Sequence, residues 1–426
     1  MITKARRHEI ESEERGFSRF DMEGIEGHNR KILKRPVFLI FLFFVLIGLG
    51  GFIFQLAGNH PERAWQTYLI NFLIWSAMAQ GGLLFSVVTH LTKARWSRPL
   101  QGLSESFAAF FPFSLVLFLL LFIGKEHLFP WLHQDLHGKE AWLNLPFLFS
   151  RDFLGLFILY GLGLAYLYYS LRLKLGQVDA PGKTRGLLRR GWLRGGQDPI
   201  RDKGRMSVLS VLYILAYAIV LSLLSFDLVM SMDPHWISTL FGAYSFVKAF
   251  YMGLGALIIL IGLVYLRQGE HSGIASSHFH DLGKLFFGFC LIWADFFYCQ
   301  FIVIWYGNIS EETSYIIERT MLSPWRSLAW TVFALTFIIP FFVLINKKVK
   351  TKPVLMMLIC TVALVGLWLE HLLLLGPALN HEVSSLPLGI SDGLITVGFL
   401  GLMTLAITLF LDIFPELVPF KDAEVS

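Results

Sequence analysis

Ten runs of about twenty apolar residues, separated by short polar segments, constrain this chain more than any other feature of its sequence. A helix rising ~1.5 Å per residue needs about that length to cross a hydrocarbon core of ~30 Å. The runs lie at roughly 36–57, 68–91, 104–124, 148–172, 206–231, 238–266, 283–306, 327–346, 354–376 and 390–414. They lack the short alternating strands of a membrane barrel. Helices are therefore the remaining way to satisfy the backbone in lipid. The expected fold is all-α: a polytopic membrane protein of about ten transmembrane helices. A polar segment at 1–35 precedes a single membrane domain at 36–416, and a tail covers 417–426. Only 16% of the 426 residues are charged, below the ~25% of soluble domains. Pro36, Pro353 and Pro324 sit at span entrances, where a missing N–H costs little. Pro340 lies inside the eighth span and is expected to kink it.

The net charge of +5 has a membrane explanation rather than a nucleic-acid one. Most of the 36 Lys and Arg fall in segments of one side, notably 1–35, 92–103, 172–205 and 347–352. The other side holds Arg63, Lys125, Lys139, Arg151, Arg319 and Arg326. The positive-inside rule then puts both termini in the cytoplasm. The three cysteines, Cys290, Cys299 and Cys360, lie in apolar runs without a Cys-x-x-Cys. They read as core residues rather than iron–sulfur, zinc or haem ligands. No catalytic group and no metal site is expected. The Gly-Leu-Gly stretches at 161–163 and 253–255 are inside spans, where they suit close helix packing rather than phosphate binding.

Ionisable groups inside a membrane are costly and point to function. Asp227, Lys248, Asp295, Glu370 and His371 qualify. By helical rise, all fall near the midplane or toward the outer end of their spans, and the inner half is expected to be almost free of charge. Lys248 leans outward along its helix, toward Asp227 or Asp295, as their expected partner. Asp227, Asp295 and Glu370 then read as carriers on a proton path, with Lys248 tuning them. A packing ion pair is the competing reading. Glu370 and His371 point about 100° apart on a helix and need not share a site. His371 is the only histidine deep in a span, which does not supply the two opposed ligands of a b-type haem.

Several stretches resemble one family. They are Ser225–Trp236 (SFDLVMSMDPHW), Ser238–Tyr244 (STLFGAY), Asp281–Lys284 (DLGK), Ile304–Thr313 (IWYGNISEET), Arg95–Pro99 (RWSRP) and Ser104–Phe107 (SESF). Together they look like the F-type subunits of bacterial alternative complex III, a quinol:electron-acceptor oxidoreductase, within the wider polysulphide-reductase (NrfD-like) membrane family. The resemblance spans about residues 60–345. It implies two four-helix bundles, from spans two to five and six to nine, flanked by spans one and ten. It implies a related second NrfD-like membrane subunit, an iron–sulfur subunit and c-type haem subunits as partners. Those partners would carry the redox centres. This chain would contribute quinone or quinol contacts, structural lipids and proton translocation. Asp227, Asp233, His235, Trp305, Tyr306, Asn308 and Glu311 match the family motif by position. Lys248 and Asp295 depart from it, standing where a small or apolar and an aromatic or neutral residue are expected. That departure reads as a local compensating pair. A secondary transporter and a purely structural anchor for redox subunits remain the other functional readings.

Overall fold

The computed structural model describes residues 35–58, 60–133, 136, 138–175, 199–379 and 385–419. The segment before residue 35, most of the basic loop 173–205 and the tail from residue 420 lie outside the described residues.

Among the described residues, ten helices are long and apolar enough to cross a membrane. They are α1 (Pro36–Leu56), α2 (Pro61–Leu91), α3 (Arg95–Leu121), α4 (Leu145–Lys174), α5 (Pro199–Met232), α6 (Leu240–Gln268), α7 (Ser276–Gly307), α8 (Trp325–Ile345), α9 (Pro353–Leu379) and α10 (Ile390–Ile413). The chain is a multi-pass, all-α membrane protein. Several helices extend past the apolar run that marks them. The polar first turns of α2 (from Pro61), α5 (from Pro199) and α7 (from Ser276) continue the same backbone ladder. A helix end is set by capping and proline, whereas a hydropathy run ends at the lipid boundary.

Two of these spans are irregular. α3 alternates 3₁₀ and α turns, with 3₁₀ turns at Arg95–Ser97 and Ser106–Phe110. In α8 the ladder widens to a π segment over Ala334–Ile338, immediately before Pro340 in the first turn of the next α segment. The expected distortion at Pro340 takes this form. The proline lacks the N–H that an unbroken ladder would use. α9 carries a further proline, Pro377, in its last turns.

The helices α2 to α5 close one ring of contacts and α6 to α9 close a second. The rings meet mainly through α2 and α6, while α1 and α10 pair beside α2. Two glycine crossings explain how the backbones come so close. A Cβ placed on Gly253 of α6 would fall 2.3 Å from the Gly81 carbonyl carbon of α2. One placed on Gly48 of α1 would fall 2.3 Å from the Gly398 Cα of α10. Such contacts admit no side chain, and close packing is what holds helices together in lipid. Gly253 thus fills the packing role expected for its stretch. In the other stretch Gly163 does the same, since a Cβ there would fall 2.6 Å from the Phe111 ring, while Gly161 has open space around it.

α2 is almost wholly enclosed, with 89% of its apolar window buried, against 11% for α1 and 17% for α7. The outward sides of α1 and α7 carry Phe43, Phe54, Tyr298 and Val303 to the molecular surface. Apolar side chains exposed in this way are stable against lipid tails, not water. We call the side that carries Lys93, Arg95, Lys174 and Lys347 the basic face.

Candidate functional site

The centre of the second ring holds an ion pair. Lys248 on α6 is 3% exposed and Glu370 on α9 is 2% exposed. Lys248 Nζ lies 2.9 Å from Glu370 Oε1. Tyr244, one helical turn before Lys248, donates its hydroxyl to the same oxygen at 2.5 Å. Trp293 of α7 donates its indole N–H to Glu370 Oε2 at 3.1 Å. The i, i+4 spacing of Tyr244 and Lys248 puts both donors on one face of α6. Glu370 therefore receives three donors from two neighbouring helices. A carboxylate in low dielectric is tolerated when it is both paired and hydrogen-bonded in this way.

This arrangement corrects the expected pairing. Lys248 does not meet Asp227 or Asp295. Asp227 binds Arg151 of α4, in the other ring, at 2.6 Å. Asp295 is on the exposed side of α7, where its recorded contact is Cys299 Sγ at 3.9 Å. The three carboxyl groups grouped from the sequence thus occupy three separate environments. Residue counts give a position along a helix, but facing depends on which helices cross, and that is a tertiary fact.

His371 is 5% exposed, and its Nδ1 lies 2.8 Å from the Leu367 carbonyl one turn back. A carbonyl only accepts, so Nδ1 carries a proton, and in the neutral form of the ring Nε2 is the acceptor. Glu370 and His371 do diverge around α9, yet Lys248 draws them to one place. Lys248 and His371 both line a cavity of about 50 Å³ between the two rings. Ser76 and Gln80 of α2 line it from the other side.

Those two α2 residues begin a hydrogen-bonded chain in the first ring. Ser76 and Ser114 hydroxyls are 2.6 Å apart, and Ser114 lies 2.6 Å from the Tyr160 hydroxyl. Gln80 Nε2 donates to the Tyr160 hydroxyl at 2.9 Å, and Tyr213 donates to the Gln80 carbonyl at 3.1 Å. Gln80 Oε1 is buried without a hydrogen-bond partner among the described residues. The cavity is lined mostly by apolar side chains, but Ser76, Gln80, Lys248 and His371 give it enough polar groups to hold a water, which needs only ~10–15 Å³ and would satisfy that oxygen.

The expectation of an inner half almost free of charge is also corrected. Glu105, on α3, is fully buried near the basic face. It accepts from Lys174 Nζ at 2.8 Å, Ser170 at 2.6 Å and Ser86 at 3.1 Å. Arg172 and Asp202, also buried, pair at 2.8 Å close by. Toward the opposite face Asp392, on α10, accepts from Thr67 at 2.5 Å and from the Gly389 backbone at 2.7 Å. Asp152 is fully buried beside Asp227. Sequence reading did not count these four acids as buried charges, because each stands near or beyond the end of an apolar run, where a charge is normally solvated.

The motif residues after α5 and α7 build the face opposite the basic one. Trp236 stacks on Tyr315 at 3.8 Å, and the Arg319 guanidinium lies 3.5 Å over the same tyrosine ring. Arg319 also lies 3.8 Å from Asp233. Tyr315 sits in the short surface helix Ser310–Thr320, and burial pushes its phenol up to about 12. Asn308 ends α7 in the left-handed region (φ 46°), which asparagine tolerates better than most residues. Glu311 and Glu312 follow in the first turn of the short helix, where its dipole favours negative charge. His235 is exposed on the same face. Trp305 and Tyr306 are exposed by 66% and 83%. Much of the IWYGNISEET segment is therefore a chain-reversal device that holds two aromatic rings outward.

The fold and these buried groups define a multi-pass α-helical membrane protein with a charged, hydrogen-bonded interior shared by two helical rings. No protein family and no curated protein matches the chain.

Proposed function

We propose that the chain is an integral membrane subunit of a quinol-oxidising respiratory complex of the bacterial inner membrane, with its basic face toward the cytoplasm. In this reading it conducts protons and shapes the lipid and quinone surroundings of related partners. A second NrfD-like membrane subunit, an iron–sulfur subunit and c-type haem subunits would supply the electron transfer.

One observation carries the proton role: the buried Lys248–Glu370 pair abuts a cavity reached by His371 and by the Ser76–Ser114–Tyr160 chain. Every side chain of this set has a group able to accept or donate a proton, and intramembrane ionisable groups of this kind mark ion pathways. At about 50 Å³ the cavity takes water and is far below the ~300 Å³ of a small-molecule pocket. Quinone contact in this reading therefore belongs to the outer surface, where Trp305 and Tyr306 stand exposed at the end of α7. Exposed aromatics at that level suit an interfacial belt or a partner subunit. Glu370 serves as the carrier beside Lys248, while Asp227 and Asp295 act apart from it.

The test is purification in mild detergent through a tag on the C-terminus, followed by subunit mass spectrometry and a reduced-minus-oxidised spectrum. The expected result is co-purification of c-type haem, an iron–sulfur protein and a second multi-pass subunit. A haem-free chain isolated alone, under conditions that keep other respiratory complexes whole, contradicts the proposal and favours a secondary transporter.

A further inference from the structure

α4 places Arg151 and Asp152 side by side close to its N-terminal end, facing α5. Arg151 grips Asp227 with two donors, Nε to Oδ2 and Nη2 to Oδ1, both at 2.6 Å. Trp142 adds its indole N–H to Asp227 Oδ1 at 3.1 Å. The Trp142 carbonyl accepts from Arg151 Nη1 at 3.0 Å, and its ring lies 3.9 Å under the guanidinium. Asp227 is thus a carboxylate with three donors and its own cation, and one acceptor site to spare.

Asp152 has none of this. It is fully buried, and neither of its side-chain oxygens has a hydrogen-bond donor among the described residues. The charged groups facing it are Asp227, within hydrogen-bonding reach, and Arg151. Two buried carboxylates therefore share one guanidinium that is already committed to one of them. Ionised, Asp152 would leave two acceptor oxygens without donors and a like charge against Asp227. Each is expensive in a low-dielectric interior. A single proton removes both costs: Asp152 becomes an O–H donor, Asp227 becomes its acceptor, and the charge of the trio falls to zero.

We propose that Asp152 and Asp227 form a proton-binding site that holds one proton at neutral pH, carried on Asp152 and hydrogen-bonded to the Arg151-bound Asp227. The proton comes from water on the face opposite the basic one. There Arg151, with its side chain 10% exposed, is the charged group of the trio nearest the solvent. The site needs only the chain itself and does not rest on the quinol reading.

Dicyclohexylcarbodiimide couples to protonated carboxyl groups in apolar surroundings. The full-length protein in native membranes, treated at neutral pH and mapped by mass spectrometry, should carry an adduct on Asp152. Asp227→Asn removes the opposing charge and frees Arg151 to pair with Asp152. Labelling of Asp152 should then fall about tenfold. Infrared spectroscopy of the detergent-purified protein gives a readout independent of reagent access. Asp152→Asn keeps the size and a donor toward Asp227, so it should fold. Its difference spectrum should lack one protonated-carboxyl C=O band that shifts in heavy water. Loss of ionised-carboxylate bands instead overturns the proposal, as does unchanged or increased labelling of Asp152 in Asp227→Asn.

Discussion

The two rings each bury a glutamate against a lysine, yet the pairs differ in how far the lysine can retreat. Lys248 has 4% of its side chain exposed and sits within its ring, beside the cavity. Lys174 has 25% exposed and stands at the end of α4, on the basic face. Its aliphatic stem can carry the ammonium out to water, as long basic side chains do at membrane boundaries. Lys248 has no such exit. The same residue pair is therefore a solvated clamp in one ring and an isolated charge centre in the other. What separates them is the distance to bulk water, not the chemistry of the groups.

That comparison breaks first at Glu370. Glu370→Gln strands the Lys248 ammonium in the interior, and removing one partner of a buried pair costs ~3–5 kcal/mol. Denaturant or thermal unfolding in detergent should show that loss. Adding Lys248→Met to the same chain should recover most of it. A Glu370→Gln protein as stable as wild type would mean that Lys248 is solvated as well as Lys174 is. Glu105→Gln should cost less, ~1.5–3 kcal/mol for the lost charged hydrogen bonds, because Lys174 can turn outward. Equal losses at Glu105 and Glu370 would erase the distinction between the rings. Tyr160→Phe removes the hydroxyl that joins Ser114 to Gln80, and should cost ~1 kcal/mol in the same assay. Asp295→Asn, on the exposed side of α7, should stay within ~0.5 kcal/mol of wild type. Its effect should instead be read in the yield of partner subunits on co-purification.

How much of this was legible beforehand follows the range of the forces involved. The ten spans are written locally, because each run of apolar residues must cross the membrane by itself. The distortion at Pro340 is equally local, since one missing N–H disrupts the ladder. The Gly81–Gly253 approach was half visible: Gly253 stood out, but neither Gly81 nor the helix that Gly253 would meet did. The ion pairs were not legible. Lys248 finds Glu370 122 residues away, and Glu105 finds Lys174 69 residues away, both through helix crossings that no sequence period encodes. Asp152 was hidden by its neighbour, because Arg151 beside it made the position look like a solvated span end. The motif residues Asn308 and Glu311 drew attention through the resemblance, and the structure supplies local reasons for both.

The most direct test of the account compares quinol-driven proton release per electron in the reconstituted wild-type complex and in one carrying Lys248→Met with Glu370→Gln. The double replacement removes the charge centre without leaving a stranded ion, so assembly and electron transfer should persist. The account predicts a lower proton-to-electron ratio at near-normal turnover. A wild-type ratio in the fully assembled variant would contradict it and reduce the Lys248–Glu370 pair to a packing element.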